Sequence, residues 1–243
     1  MKRKLLSVFL SLAMVLTMMP VFAMAEDTPE DTPVVGPTGA DSGSSVEASG
    51  INSYEALLEA ISDAEDGATI TLAGEISAPS TITINKTITL TGGSIYAADK
   101  FTGGSLISLE TEGKTLTLGN VTLNANKQAR VVYCNAGKII VNGATITGGK
   151  APDESYIGGV YMTSASQFEM NSGSITGNEV SDAYKTDGYL QYSADLWIGA
   201  NAKGAMTAIN GGTVGSIFVN ANEFSANNPG SFKMNDGIAE NIY

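Results

Sequence analysis

From residue 68 onward the chain alternates apolar and polar positions. The clearest runs are Ala68-Thr-Ile-Thr-Leu72, Ser80-Thr-Ile-Thr-Ile84 and Thr87-Ile-Thr-Leu90. A period of two in which branched residues alternate with Thr predicts half-buried β-strands. Further along, the alternation is tied to a recurring unit: an apolar residue, a short Asn/Gly segment, a spacer and a second apolar residue. Its copies are Leu90-Thr-Gly-Gly-Ser-Ile95, Val141-Asn-Gly-Ala-Thr-Ile146, Met170-Asn-Ser-Gly-Ser-Ile175, Ile209-Asn-Gly-Gly-Thr-Val214 and Met234-Asn-Asp-Gly-Ile-Ala239, with Leu118-Gly-Asn-Val-Thr-Leu123 a looser sixth. Their first positions lie 28, 23, 29, 39 and 25 residues apart.

A period of twenty to forty residues with variable inserts is the signature of a solenoid, and copies this short and strand-rich predict a β-helix. Each half of a copy is a strand with alternate residues inward, and the small Asn and Gly residues turn the corner between halves. Coils stacked at about 4.8 Å set Asn142, Asn171, Asn210 and Asn235 above one another. Their amides then form a structural ladder, each bond contributing about 0.5–1.5 kcal/mol. Ile, Leu, Val and Met fill the core, with Phe168, Phe218 and Phe232 as its larger members.

One segment has the helical period instead. Ser53 to Asp66 places Tyr54, Leu57, Leu58 and Ile61 on one stripe, with Ser53 at the N-cap and Gly67 as the stop. An amphipathic helix here covers the open sheet edge at the start of a solenoid. Helix and first strands together carry a resemblance: Tyr54-Glu-Ala-Leu-Leu-Glu-Ala-Ile61, Asp66-Gly-Ala-Thr-Ile-Thr-Leu72 and Ile84-Asn-Lys-Thr-Ile-Thr-Leu90. They resemble the opening of right-handed parallel β-helix proteins of the pectate-lyase-like superfamily. Gly158-Gly-Val-Tyr161 followed by Phe168-Glu-Met-Asn-Ser-Gly-Ser-Ile-Thr-Gly-Asn178 is similar to repeats of surface-exposed β-helix proteins of Gram-positive bacteria. The resemblance spans roughly residues 53–243 and implies an all-β, right-handed parallel β-helix of about six to eight coils. The handedness also follows from the general preference of parallel crossovers. The resemblance leaves activity open, because the superfamily holds lyases, hydrolases, epimerases and non-catalytic surface proteins.

The N-terminal segment sets the compartment. Lys2, Arg3 and Lys4 precede an apolar run from Leu5 to Val21 and an Ala23-Met24-Ala25 cleavage pattern, so residues 1–25 read as a signal peptide. The protein is expected to be secreted and held at a bacterial cell surface, with no membrane span after cleavage. Residues 26–50, rich in Thr-Pro, Asp, Glu, Ser and Gly, read as a disordered acidic tether, and residues 51–243 as the β-helix. The chain stops four residues after the last copy of the repeat begins to close, which predicts an open C-terminal end available for end-to-end contact or a continuation of the chain.

Charge narrows the partners. The chain carries 13 Lys and Arg against 25 Asp and Glu, a formal charge of −12, and has no His. Cleavage removes Lys2, Arg3 and Lys4 and brings this to −15, leaving Arg130 as the sole arginine. Such a surface repels nucleic acid and anionic membranes. Extracellular glycans or components of host and bacterial surfaces fit better. No cofactor is implied; calcium suits an acidic extracellular protein, but no motif is present to hold it. Cys134 has no partner for a disulfide and reads as a small buried residue.

The candidate binding surface is the longest insert, Glu179 to Asp195. It gathers Asp182, Tyr184, Asp187, Tyr189, Tyr192 and Asp195, with Trp197 just beyond in Leu196-Trp-Ile198. Tyrosines and carboxylates on one surface suit sugar stacking, or acid–base chemistry if two carboxyls converge. Alternation leaves Trp197 either inward or exposed. No constellation matches a catalytic motif, so no catalytic residue is assigned; Arg130, in Asn126-Lys-Gln-Ala-Arg130, has no acid close in sequence. The expected function is a non-catalytic surface protein: adhesin, glycan-contacting module or rigid spacer. The alternative is a polysaccharide lyase or glycoside hydrolase. A minor alternative, an ice-binding solenoid, rests on the Thr81/Thr83, Thr87/Thr89 and Thr115/Thr117 rows.

Overall fold

The structure, a computed structural model, describes residues 50–152, 157–163, 165–185, 194–199, 206–219 and 231–243. The expected signal peptide and tether, up to Ser49, lie outside the described residues. The fold is all-β, a single all-parallel β-solenoid with one short helix near its start.

The helix α1 is Tyr54–Asp63. Ser53 Oγ accepts the Ala56 amide at 3.2 Å, satisfying one orphan donor of the first turn. Leu57 and Ile61 are buried, and the Tyr54 hydroxyl lies 2.8 Å from Ser80 Oγ, tying the helix to the first coil. The helix ends three residues earlier than its sequence suggests. The ammonium of Lys86 takes the terminal carbonyls of Ser62 and Ala64, and Asp66 turns away to accept the Thr87 amide and pair with Lys114.

The strands are β1 (Ala68–Thr71), β2 (Glu75–Ile84), β3 (Ile88–Thr91), β4 (Ser94–Leu109), β5 (Thr115–Leu118), β6 (Thr122–Asn124), β7 (Arg130–Cys134) and β8 (Gly137–Thr147). They continue with β9 (Val160–Met162), β10 (Ser166–Ile175), β11 (Leu196–Ile198), β12 (Met206–Ile209), β13 (Thr213–Val219), β14 (Ser231–Met234) and β15 (Ile238–Ile242). Several long strands bend round a corner and serve two faces. Three parallel ladders result. Together they wind into a solenoid of about five turns.

The registers make three aliphatic columns. On the first face, Ile70, Leu90, Leu118, Val141, Met170, Ile209 and Met234 stack in line. On the second, the column is Ile76, Ile95, Leu123, Ile146, Ile175, Val214 and Ala239. On the third, it is Ile82, Ile107, Val132, Val160, Leu196, Ile217 and Ile242. Away from the final coil nearly all are fully buried. A coil cannot bury these side chains alone; it does so only against its neighbours, so cohesion is a sum of coil-to-coil contacts.

Phe168 is fully buried in the core. Phe232 occupies an inward register in the last coil and is half-buried. Phe218 is a correction. Ile217 takes the inward position of β13, so the alternation sends Phe218 outward. At the corner between the first two faces, Gly173 has φ +104°, and a Cβ there would sit 2.3 Å from the Ala144 carbonyl oxygen. Only glycine fits that turn.

Candidate functional site

The insert expected to carry binding residues leaves β10 at Ile175 and rejoins the third face at β11. Its described part divides into a charged outer strand of chain and a buried polar joint. Asp187, Tyr189 and Tyr192 lie outside the described residues.

Outside, Asp182 opens a short 3-10 turn, Asp182–Tyr184. Its carboxylate takes the Lys150 ammonium at 2.6 Å and the Lys185 ammonium at 2.8 Å. Hydrogen bonds from these two lysines lower its pKa from 3.8 to about 2. Glu179 pairs with Lys127 and Lys185, again with its carboxyl held below the ordinary range, chiefly by the Lys127 hydrogen bond. Tyr184 is half-buried at the end of the same turn.

Asp195 is not on the surface; it is buried. One carboxylate oxygen accepts the Asn178 side-chain amide at 2.8 Å and the Asn178 backbone amide at 3.2 Å. The other accepts the Ser216 hydroxyl at 3.0 Å. Asn178 in turn accepts the Gly149 amide at 2.9 Å, so one polar network joins three successive coils. Burial pushes the Asp195 carboxyl up from 3.8, against the hydrogen bonds that favour its charged form. The insert therefore does not bring Asp182 and Asp195 together as a pair: one is ionised at the surface, the other sealed into the wall.

Trp197 is buried too, but not in the aliphatic core. Its register partners are Tyr161 and Phe218, so it points outward with Leu196 inward. The Phe218 ring stacks on it at 4.2 Å and 13°, and Tyr161 meets it edge-on at 6.0 Å. Tyr133 follows at 5.8 Å from Tyr161. This is an aromatic column along the solenoid axis, a feature the sequence reading missed. Its signal was present in four apolar–aromatic–apolar triplets: Val132-Tyr133-Cys134, Val160-Tyr161-Met162, Leu196-Trp197-Ile198 and Ile217-Phe218-Val219. A sugar stacks on the face of a ring, and one face of Trp197 is already taken by Phe218.

Arg130 belongs to this column. Its guanidinium carbon lies 4.8 Å from the centroid of Tyr161 and 5.5 Å from that of Tyr133, and Nε donates to the Ile157 carbonyl at 2.9 Å. Desolvation lowers its pKa to about 10, so it stays charged at neutral pH and braces the two rings. Cys134 is buried and its thiol is pushed up to about 12 by that burial, which leaves it a poor nucleophile.

The four repeat asparagines form a continuous chain of amides. Asn171 Nδ2 donates to Asn142 Oδ1 at 2.8 Å, Asn210 Nδ2 to Asn171 Oδ1 at 2.7 Å, and Asn235 Nδ2 to Asn210 Oδ1 at 2.6 Å. Beside it, Asn171 also donates to Glu169 at 3.0 Å, and Glu169 takes the Lys138 ammonium at 2.6 Å. The threonines stand outward in register only at first: Thr69, Thr89 and Thr117 are followed in the same column by Ile140, Glu169, Ala208 and Lys233. Among the described residues, no three His, Cys, Asp or Glu side chains are placed to hold a metal ion.

No protein family, curated protein or solved structure matches the chain.

Proposed function

We propose that this chain is a non-catalytic, rigid module of a secreted or cell-surface bacterial protein, built on the right-handed β-helix plan of the pectate-lyase-like superfamily. Its role is that of a spacer that holds contact surfaces, for glycans or other cell-surface components, at a fixed distance. The observation that carries this reading is axial continuity. Three aliphatic columns, an amide ladder and an aromatic column all run coil to coil, with the shifts in strand register between β8 and β10 confined to the corner. Each stiffens the long axis, and a spacer has to resist bending about that axis.

Among the described residues, the insert carboxylates Asp182 and Asp195 support the non-catalytic part. Polysaccharide hydrolysis needs two carboxyls facing a common substrate, one held protonated and one ionised. Asp182 is fixed in its ionised form by two lysines, while Asp195 has both oxygens engaged by Asn178 and Ser216 within the wall.

The test is a depolymerisation assay. The purified protein is incubated with plant, host and bacterial polysaccharides, with and without calcium, and new reducing ends and unsaturated products are followed. The expected result is no product above a heat-treated control. Product from any polysaccharide would overturn the reading and return attention to the enzyme alternative.

A further inference from the structure

We propose that the slot between α1 and β1 is a docking site for an extended basic peptide, which adds as a strand to the free edge of β1. This goes beyond the spacer role and rests on different residues. The slot is a cavity of about 510 Å3 between the helix and the first coil. It exists because of side-chain size. Leu57 and Ile61 turn into the core, so the helix shows the slot Ala56, Ala60 and Ala64, which are too small to fill it.

Part of the floor's backbone has no hydrogen-bond partner among the described residues. β1 is the terminal strand of its ladder; β3 is its strand partner, and on the other edge Ile51 bridges to Leu72 just past its end. Leu72 turns its amide toward β3, donating to the Thr91 carbonyl at 2.8 Å. In that phase Thr69 and Thr71 turn their peptide groups to the opposite edge. There the Thr71 carbonyl accepts the Ile51 amide at 3.2 Å. Among the described residues, the Thr69 carbonyl and the Thr71 amide find no partner across that edge. An edge with unpaired backbone groups is a template for another strand, and strand addition is an established mode of peptide recognition.

The rim selects the charge of the occupant. Glu59, Asp63 and Glu65 line the slot, and no lysine or arginine among the described residues forms an ion pair with any of them. The nearby ammonium of Lys86 is committed to the Ser62 and Ala64 carbonyls. Three carboxylates around an apolar slot favour a segment with Lys or Arg flanking small or branched residues. The chain's own upstream segment has the wrong sign: residues 26–49 contain six acidic residues (Glu26, Asp27, Glu30, Asp31, Asp41, Glu47) and no Lys or Arg.

Fluorescence anisotropy with two labelled peptides tests the proposal on the full chain. Both are short, of alternating Val and Thr; one is flanked by Lys, the other by Glu. The Lys peptide is expected to bind about tenfold or more tighter than the Glu peptide, with the difference shrinking in high salt. Glu59→Lys combined with Asp63→Lys, both at the rim, should reverse the preference. Ala60→Leu, which fills the slot, should abolish binding of the Lys peptide while the thermal transition is retained. Equal affinity for the two peptides, no binding of the Lys peptide, or unchanged binding to the Ala60→Leu variant would overturn it. Binding that emerges only after residues 26–49 are deleted would assign the slot to the chain's own tail and overturn it as well.

Discussion

Replacing Asn171 by Ala removes the central rung of the amide ladder and should cost more than the same change at the ladder's end. Asn171 makes three side-chain hydrogen bonds: to Asn142 at 2.8 Å, to Glu169 at 3.0 Å and from Asn210 at 2.7 Å. The side chain is exposed, so each bond counts at the lower end of the usual range, about 0.5 kcal/mol, and the three together about 1.5 kcal/mol. In a chain of this size that lowers the melting temperature by about 3–6 °C. Asn235 makes one ladder bond, to Asn210 at 2.6 Å, and Asn235→Ala should cost about a third as much. Thermal unfolding followed by far-UV circular dichroism measures both. A double-mutant cycle between Asn142 and Asn171 should show a coupling of about 0.5 kcal/mol. Equal losses at Asn171→Ala and Asn235→Ala, with no coupling, would refute the ladder as a source of cohesion.

Three further outcomes follow from the geometry. Burial raises the Asp195 carboxyl, so the folded chain holds that proton more tightly than the unfolded one, and its contribution to stability falls as pH rises through the unfolded and then the folded value. Asp182, lowered to about 2, has the opposite sign and loses its contribution as pH falls from about 4 toward 2. Asp195→Asn should therefore compare better with the parent at pH 7 than at pH 3.5 in urea unfolding; an identical gap at both values would sink this assignment. Gly173→Ala, at φ +104° with a Cβ 2.3 Å from a carbonyl oxygen, should destabilise by more than about 1 kcal/mol; a neutral denaturation midpoint would contradict the corner geometry. Trp197 is the only tryptophan and is 7% exposed, so native emission should be blue-shifted, and Trp197→Ala should cost about 3 kcal/mol by urea unfolding. Native emission typical of a solvated indole would rule out the packed aromatic column.

The fold was legible because the repeat encodes it twice: in the inward aliphatic positions and in the Asn/Gly corner. Ile95, Leu123, Ile146, Ile175 and Val214 are the last residues of five repeat copies and also consecutive members of one buried column. The insert was less legible. Composition showed Tyr and Asp together but not which would be solvated. Asp195 sits directly before β11 and is drawn into the wall by Asn178 and Ser216, partners 17 and 21 residues away in sequence. Trp197 was ambiguous because all of Leu196-Trp-Ile198 is apolar, and only the register with Tyr161 and Phe218 resolves its direction. The slot beside α1 left a trace only in the four-residue spacing of Ala56, Ala60 and Ala64.

The central claim is a stiff, in-register stack, and the distance between its ends tests it most directly. Thr69 and Lys233 occupy the same outward column, six coil steps apart, which at about 4.8 Å per step puts their backbones about 29 Å apart. Spin labels at Thr69→Cys and Lys233→Cys, with buried Cys134 left unlabelled, give that distance by pulsed electron paramagnetic resonance. A single narrow distribution near that value, broadened only by the label tethers, is the predicted result. A broad distribution, or one centred well beyond about 40 Å, would contradict the stacked solenoid and the spacer role built on it.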